Sequence, residues 1–483
     1  MPQTLQPSDY ATILPVLVLT AWACVLLLVD LFIPAGRKGI TAVLAVLGLA
    51  LTLGLTLVQI GEQSLGFNGM VVRDGFSIFL NALLLLSGMA GIALANDYLK
   101  RMSLERGEYY SLLLFSITGM MLMVQAADLI MIFIALELLS IPLYVLSAFN
   151  RTQVESEEAG LKYFLLGAFS TGFVVYGIAL IFGATNSTSI FGILAAAATA
   201  PKLLLTVGAG LLLVGFGFKV AAVPFHMWTP DVYHGAPSAV TAFMSSGAKI
   251  AGFAALLRVF STAFTMFSLD FTPILWGLAA ATMVLGNLIA ISQTNIKRLL
   301  AYSSIAHAGY ILMAFVPYGN KDVMPVSVAA GLFYLVSYAV TNFGAWGVVI
   351  ALERAEGKGL QISDYGGLGR KYPALAAAMT VFMLSFIGLP PTLGLVGKFY
   401  LFRAVIDGGF IGLAIIGVLT SLISAYYYLR VVVTMYMQEG DPLKGSEFWL
   451  DFTWIASAVA VVALSLVPQV LFTLASTALL KLF

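Results

Sequence analysis

The chain has 483 residues, of which 60% are hydrophobic and 10% charged, and its formal net charge is +1. Soluble proteins carry about 25% charged residues, so this composition indicates an integral membrane protein. The near-zero net charge offers no basic field that would recruit nucleic acid. The single cysteine, Cys24, excludes disulfides within the chain and cysteine-ligated zinc or iron–sulfur sites.

Apolar runs separated by short polar breaks predict an all-α polytopic protein of about fourteen transmembrane helices. The first run lacks a preceding basic segment, so we expect a retained helix and not a cleaved signal. Because the connections are short, residues 1–483 are predicted to form a single bundle. The predicted spans begin near Thr12, Ile40, Phe76, Tyr109, Leu129, Ala159, Leu203, Ser238, Pro273, Leu299, Val326, Pro373, Phe410 and Phe452.

Lysine and arginine in the predicted loops predict the orientation, because cytoplasmic loops are enriched in both. The richer side should be cytoplasmic, which places both termini of an even-numbered bundle on the outer side. The richer side receives Arg37, Lys38, Lys100, Arg101, Arg106, Arg151, Lys297, Arg298, Arg354, Lys358, Arg370, Lys371, Arg430 and Lys444. The other side receives Arg73, Lys202, Arg258, Lys321, Arg403 and Lys481.

Five charged residues fall inside predicted spans: Glu137, Lys162, Lys219, Lys249 and Lys398. A charge at the bilayer centre costs about 2.5–3.5 kcal/mol on insertion scales, so these side chains should face the bundle interior. One Lys–Glu pair could serve packing alone. Five charges on five helices, with lysines in excess, favour an ion path instead. Lys162 lies near a span start and could reach the membrane surface, but we expect it to be buried.

Prolines interrupt two spans beside these lysines. Pro224 follows Lys219 by five residues, and Pro390 and Pro391 precede Lys398. A proline inside a helix removes a backbone hydrogen bond. Each proline alone could mark an ordinary kink, but paired interrupted helices in two halves of a transporter suggest repeated units with ion sites at mid-membrane.

The three histidines are scattered and lack metal-ligand spacing. His307 lies in a polar stretch of an apolar helix, and His226 follows the first interruption. Either could join a proton path, since histidine titrates near neutrality, or could be a hydrogen-bonded structural residue. His234, near Asp231, is expected to be a solvated or capping residue. No nucleotide-binding motif is present, so we expect no metal, nucleotide or redox cofactor in this chain.

The motif K-x4-P-F-H-x-W-x-P-D-x-Y-x-G-A-P, followed twelve residues later by a lysine, runs from Lys219 to Lys249. It resembles the core signature of the antiporter-like proton-translocating subunits of respiratory complex I. YSSIAHAGY (302–310) and GLPPTLGLVGKFYLF (388–402) extend the resemblance over most of the chain.

This resemblance implies a fourteen-helix core with two inverted five-helix repeats, each containing a broken helix. It also implies that Glu137 and Lys219 form a pair at one half-channel, that Lys249 is a central relay, and that Lys398 serves the other half-channel. The repeats would cover residues 109–260 and 273–436. The accessory members of the path would be Lys162, His226 and His307.

The resemblance further implies a non-redox subunit of a proton-translocating NADH:quinone oxidoreductase in a bacterial plasma membrane. NADH, flavin, iron–sulfur clusters and quinone would then belong to partner subunits. Among the paralogues, one usually has glutamate at the position of Lys398, and another has a long C-terminal amphipathic helix that is not expected here. Multisubunit cation/proton antiporters share the signature and remain the alternative, as does a purely structural spacer. A cation site would favour buried carboxylates besides Glu137, and none is predicted.

Overall fold

A computed structural model describes residues 6–445 and 447–478. Both chain ends, including Lys481, lie outside the described residues, so the expected outer termini are not described. Within those ranges the chain forms twenty α-helices and one small antiparallel hairpin. The hairpin consists of β1 (Ser64–Gly66) and β2 (Val71–Arg73). The all-α prediction is confirmed.

The helices are given in chain order. The first ten are α1 (Pro7–Thr12), α2 (Leu14–Asp30), α3 (Gly39–Val58), α4 (Gly75–Arg101), α5 (Glu108–Gln125), α6 (Leu129–Ser147), α7 (Val154–Thr185), α8 (Ile190–Ala196), α9 (Lys202–Val220) and α10 (Trp228–Gly235). The others are α11 (Ser238–Ala263), α12 (Ser268–Ala290), α13 (Ile296–Met313), α14 (Met324–Leu352), α15 (Leu368–Lys371), α16 (Pro373–Ile387), α17 (Leu393–Asp407), α18 (Ile411–Met437), α19 (Phe448–Leu466) and α20 (Pro468–Thr477). Short 3-10 turns occupy Ala35–Arg37, Thr265–Phe267 and Ile362–Tyr365.

Every predicted span start lies within five residues of the first residue of an observed helix, the largest differences being at α7 and α12. Ten helices of the described chain are long and apolar enough to cross a membrane: α3, α4, α6, α7, α9, α11, α12, α14, α18 and α19. Four predicted spans fall short of that criterion. Two of them, α2 and α16, have only 17 and 15 residues, and α13 carries the polar Lys297, Arg298 and His307.

Two of the helical segments are interrupted where prolines occur. The first interruption separates α9 from α10 and contains Pro224, and Ala221 ends α9 in the left-handed region with φ 61°. The second separates α16 from α17 and contains Pro390 and Pro391. There Gly388 has φ 88°, a conformation that glycine adopts without steric cost. Each interruption leaves the last carbonyl groups of a helix without partners in that helix.

Two helices form the centre of the bundle. α11 is buried along its whole length, and 89% of the apolar window of α14 is buried. α11 packs against α4, α5, α9 and α14. A helix that is enclosed on all sides has no lipid-facing stripe, which explains why α11 can accommodate glycines, serines and a lysine. Lys249 therefore lies in the interior.

Candidate functional site

Glu137 lies near the middle of α6, a helix whose start is capped by the Asp128 carboxylate, which accepts from the Ile130 N–H at 2.8 Å. The Glu137 carboxylate is half-buried and accepts a hydrogen bond of 2.7 Å from the Thr171 hydroxyl on α7. It also borders a cleft of about 620 Å³ between α6 and α7. Glu137 thus stands at the outer end of the buried polar residues described below.

Lys219 occupies the last turn of α9, just before the first interruption, and is 3% exposed. Its Nζ donates to the Ser140 hydroxyl at 2.8 Å and to the Tyr163 hydroxyl at 3.2 Å. Both Glu137 and Lys219 are described, and no ion pair within 4.0 Å joins them. Ser140 lies one helical turn after Glu137 on α6, so Lys219 contacts α6 one turn away from the carboxylate. The direct contact expected from the sequence is absent in this conformation.

A close approach of α9 to α11 links Lys219 to Lys249. A Cβ on Gly252 of α11 would lie 2.9 Å from the Val220 side chain and 3.4 Å from Lys219 Cγ. A side chain at this position would clash with Val220, so the glycine permits the close approach of the two helices. Lys249, one turn earlier on α11 and 2% exposed, donates from Nζ to the Ser304 carbonyl of α13.

A buried amide contacts α11 one turn before Lys249. This residue was not predicted from the sequence. Asn342 of α14 donates from Nδ2 to Ser245 at 2.7 Å and to Ser246 at 2.9 Å, both on α11. Satisfied polar networks of this kind orient packed helices. A lone asparagine inside the long apolar run of α14 was the available signal, because such residues are rare and face inward.

His307 lies on α13 one turn after Ser304 and is buried. Its Nδ1 is 2.7 Å from the Tyr334 hydroxyl, and its Nε2 is 3.2 Å from the Tyr428 hydroxyl. Each ring nitrogen therefore has a hydroxyl partner that can donate or accept. This arrangement can pass a proton through the ring. The two tyrosines also continue the series of buried polar residues from α13 to α14 and α18.

Lys398 lies on α17 after the second interruption and is 3% exposed. Its Nζ donates to the carbonyls of Phe386 and Ile387 at 2.9 and 2.8 Å and to the Ser421 hydroxyl at 2.6 Å. The two carbonyls end α16, at the negative pole of that helix. The interruption thus creates a cation site from backbone atoms.

Two predicted accessory residues lie away from the series of buried polar residues that runs from Glu137 to Lys398. Lys162, expected to be buried, is 40% exposed and pairs with Glu158 at 2.7 Å and Asp231 at 2.8 Å. Its early position on α7 lets the long side chain reach the acidic groups at the bundle end, as lysine stems commonly do. His226 is half-buried in the first interruption, and its Nδ1 has no partner among the described residues.

Two cations that the sequence predicts to lie in loops are buried within helices. Arg258 lies in α11 and forms a bidentate pair with Asp74 at 2.9 and 3.0 Å. Lys297 lies in the first turn of α13 and donates to the Ala236 carbonyl at 2.8 Å. Both lie near helix ends, where the sequence does not distinguish an exposed loop from a buried turn. The described residues contain no group of three or more His, Cys, Asp or Glu side chains that could hold a metal ion.

This fold, with buried lysines placed at two interrupted helices, defines the class of antiporter-like polytopic membrane subunits. Residues 126–424 match the family model described as "NADH:quinone oxidoreductase/Mrp antiporter, TM". A chain in the structure of the Mrp complex from Dietzia sp. has a TM-score of 0.87 at 22% identity, over 98% of this chain and 97% of that chain. That identity supports the common fold alone.

Relatives with higher sequence identity distinguish between the two kinds of protein that the family description names, NADH:quinone oxidoreductases and Mrp antiporters. NADH-quinone oxidoreductase subunit N of Trichlorobacter lovleyi is 46% identical over 96% of this chain and 93% of the relative. A chain of the respiratory complex I from Thermus thermophilus is 36% identical, with a TM-score of 0.83, over 96% of this chain and 99% of that chain. The chain belongs to the NADH-quinone oxidoreductase subunit N family of proton-translocating membrane subunits of complex I. The predicted resemblance is confirmed.

Proposed function

We propose that protons cross this subunit through Glu137, Lys219, Lys249 and Lys398, with His307, His226 and Lys162 as accessory groups. One observation carries the proposal. Lys219, Lys249 and Lys398 are buried and donate only to hydroxyl or carbonyl oxygens, and none of the three joins an ion pair in the described chain. A buried lysine without a carboxylate can release its proton and leave no unpaired negative charge behind.

The proposed switch is the Glu137–Ser140–Lys219 arrangement. A shift of charge in a neighbouring subunit would draw the Lys219 ammonium towards Glu137 or release it, and so change its affinity for a proton. Moving one charge against 100 mV costs about 2.3 kcal/mol. Proton affinity must therefore change by about 50-fold at a site, since one pKa unit corresponds to about 1.36 kcal/mol. Forming or breaking one close ionic contact is sufficient for a change of this size.

The redox chemistry belongs to partners in this proposal. The chain would be one membrane-arm subunit of an NADH:quinone oxidoreductase in a bacterial plasma membrane. NADH, flavin, iron–sulfur clusters and quinone would be bound by other subunits. This chain would contribute only the proton path.

We also propose two inverted repeats, residues 109–260 and 273–436. The order of elements supports them, because each range contains three long helices, one short helix (α8 or α15), an interrupted helix and a final helix. In this order α5 corresponds to α12 and α11 to α18. The directions support inversion. α5 ends beside β2, through the bridge of Ala126 to Val71, whereas α12 begins at that end of the bundle, where Asp270 pairs with Lys202 of α9.

The orientation proposal places both termini on the outer side. Contacts of the outermost described helices support a common side, because Thr12 at the end of α1 is 2.8 Å from Ser64 of β1, and Thr477 of α20 lies beside Gly75. Both contacts are at the end of the bundle assigned few basic residues. These contacts are therefore consistent with both helix ends lying on the same side of the membrane.

Cysteine labelling tests this orientation. In a Cys24→Ser background, Lys358→Cys should react with a membrane-impermeant maleimide only in inside-out vesicles. Lys321→Cys should react only in right-side-out spheroplasts, because the two lysines are exposed at opposite ends of the bundle. The Cys24→Ser chain without an added cysteine gives the background. The reverse pattern would invert the proposed topology.

A Lys249→Gln variant tests the path at its centre. We expect proton pumping attributable to this subunit to fall by about tenfold or more, since removal of one positioned proton carrier commonly costs at least that. The measurement is protons moved per NADH oxidised in proteoliposomes containing the complete complex. Lys321→Gln, an exposed lysine outside the path, is the matched control. Unchanged pumping in Lys249→Gln would refute the path, and pumping that requires sodium would favour a cation/proton antiporter instead.

A further inference from the structure

A groove runs along the outside of the bundle between α3, α4 and α19, away from the buried lysines. Its volume is about 640 Å³, within the roughly 300–1,000 Å³ typical of ligand sites. The lining is mainly apolar, and three of its side chains, Val43, Leu86 and Phe452, are more than half exposed. The floor consists of small residues such as Ala90 and Ala93.

The groove is long. Its lining on α4 extends from Leu86 to Lys100, which corresponds to about 21 Å of helix. That length exceeds the roughly 15 Å of one leaflet of the hydrocarbon core, so an occupant can run from the polar end deep into the apolar part of the groove.

One end of the groove carries two polar groups that converge over Gly39, the first residue of α3. A Cβ on Gly39 would lie 3.4 Å from Lys100 Nζ and 3.5 Å from Asn96 Oδ1. Asn96 is 9% exposed, and its Nδ2 donates to Asp97 at 3.0 Å. Its Oδ1 has no partner among the described residues. A buried, unpaired acceptor facing a groove indicates a missing hydrogen-bond donor.

This end also holds a basic side chain, Lys100, that stands outside the ion pairs around it. Lys38 is paired with Asp30, and Arg101 is paired with Glu447. Lys100 joins no ion pair in the described part of the chain, and Asp97, one turn before it on α4, instead accepts from the N–H groups that start α19. The amino terminus of α3 adds a positive helix pole and free N–H groups at Gly39. The end of the groove therefore combines a site for an anion with an acceptor for a hydroxyl or ammonium donor.

We propose that this groove binds an anionic phospholipid with a glycerol headgroup, that is, a phosphatidylglycerol. The phosphate lies against Lys100 and the start of α3, and a headgroup hydroxyl donates to Asn96 Oδ1. One acyl chain follows the groove past Ala93 towards Phe452 and Leu86. Trp449, at the polar end, lies where aromatic residues meet the headgroups. The subunit thus has a specific lipid site in addition to its proton path.

Lipid analysis of the purified complex tests the site. After extensive detergent washing, the wild-type complex should retain about one phosphatidylglycerol more than a Lys100→Gln or an Ala93→Phe complex, as counted by mass spectrometry. Lys100→Gln should weaken rebinding of added phosphatidylglycerol about fivefold, the usual contribution of one basic residue at an anionic lipid. Lys321→Gln is the matched control and should behave as wild type. NADH–quinone turnover reports that each variant is assembled.

Three results would overturn the proposal. The first is an equal phosphatidylglycerol count in wild type and Lys100→Gln, which decides the matter even if Ala93→Phe fails to assemble. The second is equal retention of phosphatidylethanolamine, which would show that the anionic glycerol headgroup is not selected. The third comes from a photo-crosslinker in place of Phe452: an adduct with a polypeptide would mean that a partner subunit fills the groove, whereas a phospholipid adduct supports the site.

Discussion

Complex that carries Lys219→Gln should pump protons through this subunit at about one hundredth of the wild-type rate or less, because a positioned proton carrier contributes about 10²–10⁴-fold to transfer. Glutamine preserves a donor for the Ser140 and Tyr163 hydroxyls at 2.8 and 3.2 Å. It cannot gain or lose a proton at working pH. The measurement is proton uptake per NADH oxidised in proteoliposomes, together with quinone reduction.

A second variant separates a loss of charge from a loss of structure. Lys202→Gln removes a lysine that is 68% exposed and pairs with Asp270 at 3.1 Å, so pumping should stay at the wild-type level. Glu137→Gln should reduce pumping in the same direction as Lys219→Gln, since the proposed switch needs both charges. Wild-type stoichiometry in Lys219→Gln and Glu137→Gln, in assembled complex, would remove the role of this pair.

Arg258→Met should destabilise the subunit by about 3–5 kcal/mol, the usual cost of breaking a buried ion pair by removing one partner. Asp74 is fully buried, with its side chain 0% exposed, and it would be left without its cation. Arg258 also donates from Nε to the Val124 carbonyl at 3.2 Å, so a bond between α11 and α5 would be lost as well. The expected result is a lower midpoint of thermal inactivation and less assembled complex.

A double variant shows whether the uncompensated carboxylate is the cause. Asp74→Asn with Arg258→Met removes both charges, while asparagine keeps an acceptor for the Ser77 N–H at the start of α4. It should be more stable than Arg258→Met alone. Arg403→Met, at a side chain that is 63% exposed and 3.6 Å from Asp407, should change stability little. Equal stability of Arg258→Met and wild type would contradict the expectation.

Arg258 contrasts with the three lysines of the proposed path in the groups that hold its charge. Arg258 donates two hydrogen bonds to one buried carboxylate, a geometry that fixes the position of the guanidinium group. Lys219 instead lies in the last turn of α9. The ammonium group of Lys398, on α17, contacts the carbonyl groups that end α16. Helix carbonyls and hydroxyls stabilise an ammonium group, and they can also release it. The interruptions thus bring weak, reversible cation sites into a bundle that would otherwise exclude them.

The sequence by itself determined the features that depend on neighbouring residues along the chain. Apolar run lengths identified the helices to within five residues of their starts. Prolines and glycines marked the interruptions, because they act on the backbone within one turn. The motif from Lys219 to Lys249 identified the family. The charges of Glu137 and Lys398 stood out because charged residues are rare within apolar runs.

Only the tertiary structure decided which atoms each of these charges meets. Lys219 donates to Ser140, and the carboxyl end of α16 holds Lys398, because packing brings together helices that are distant in sequence. The same packing leaves Lys162 at the surface and buries Arg258. A local pattern specifies that a side chain avoids lipid, but its partner and its exposure depend on how neighbouring helices rotate and approach each other.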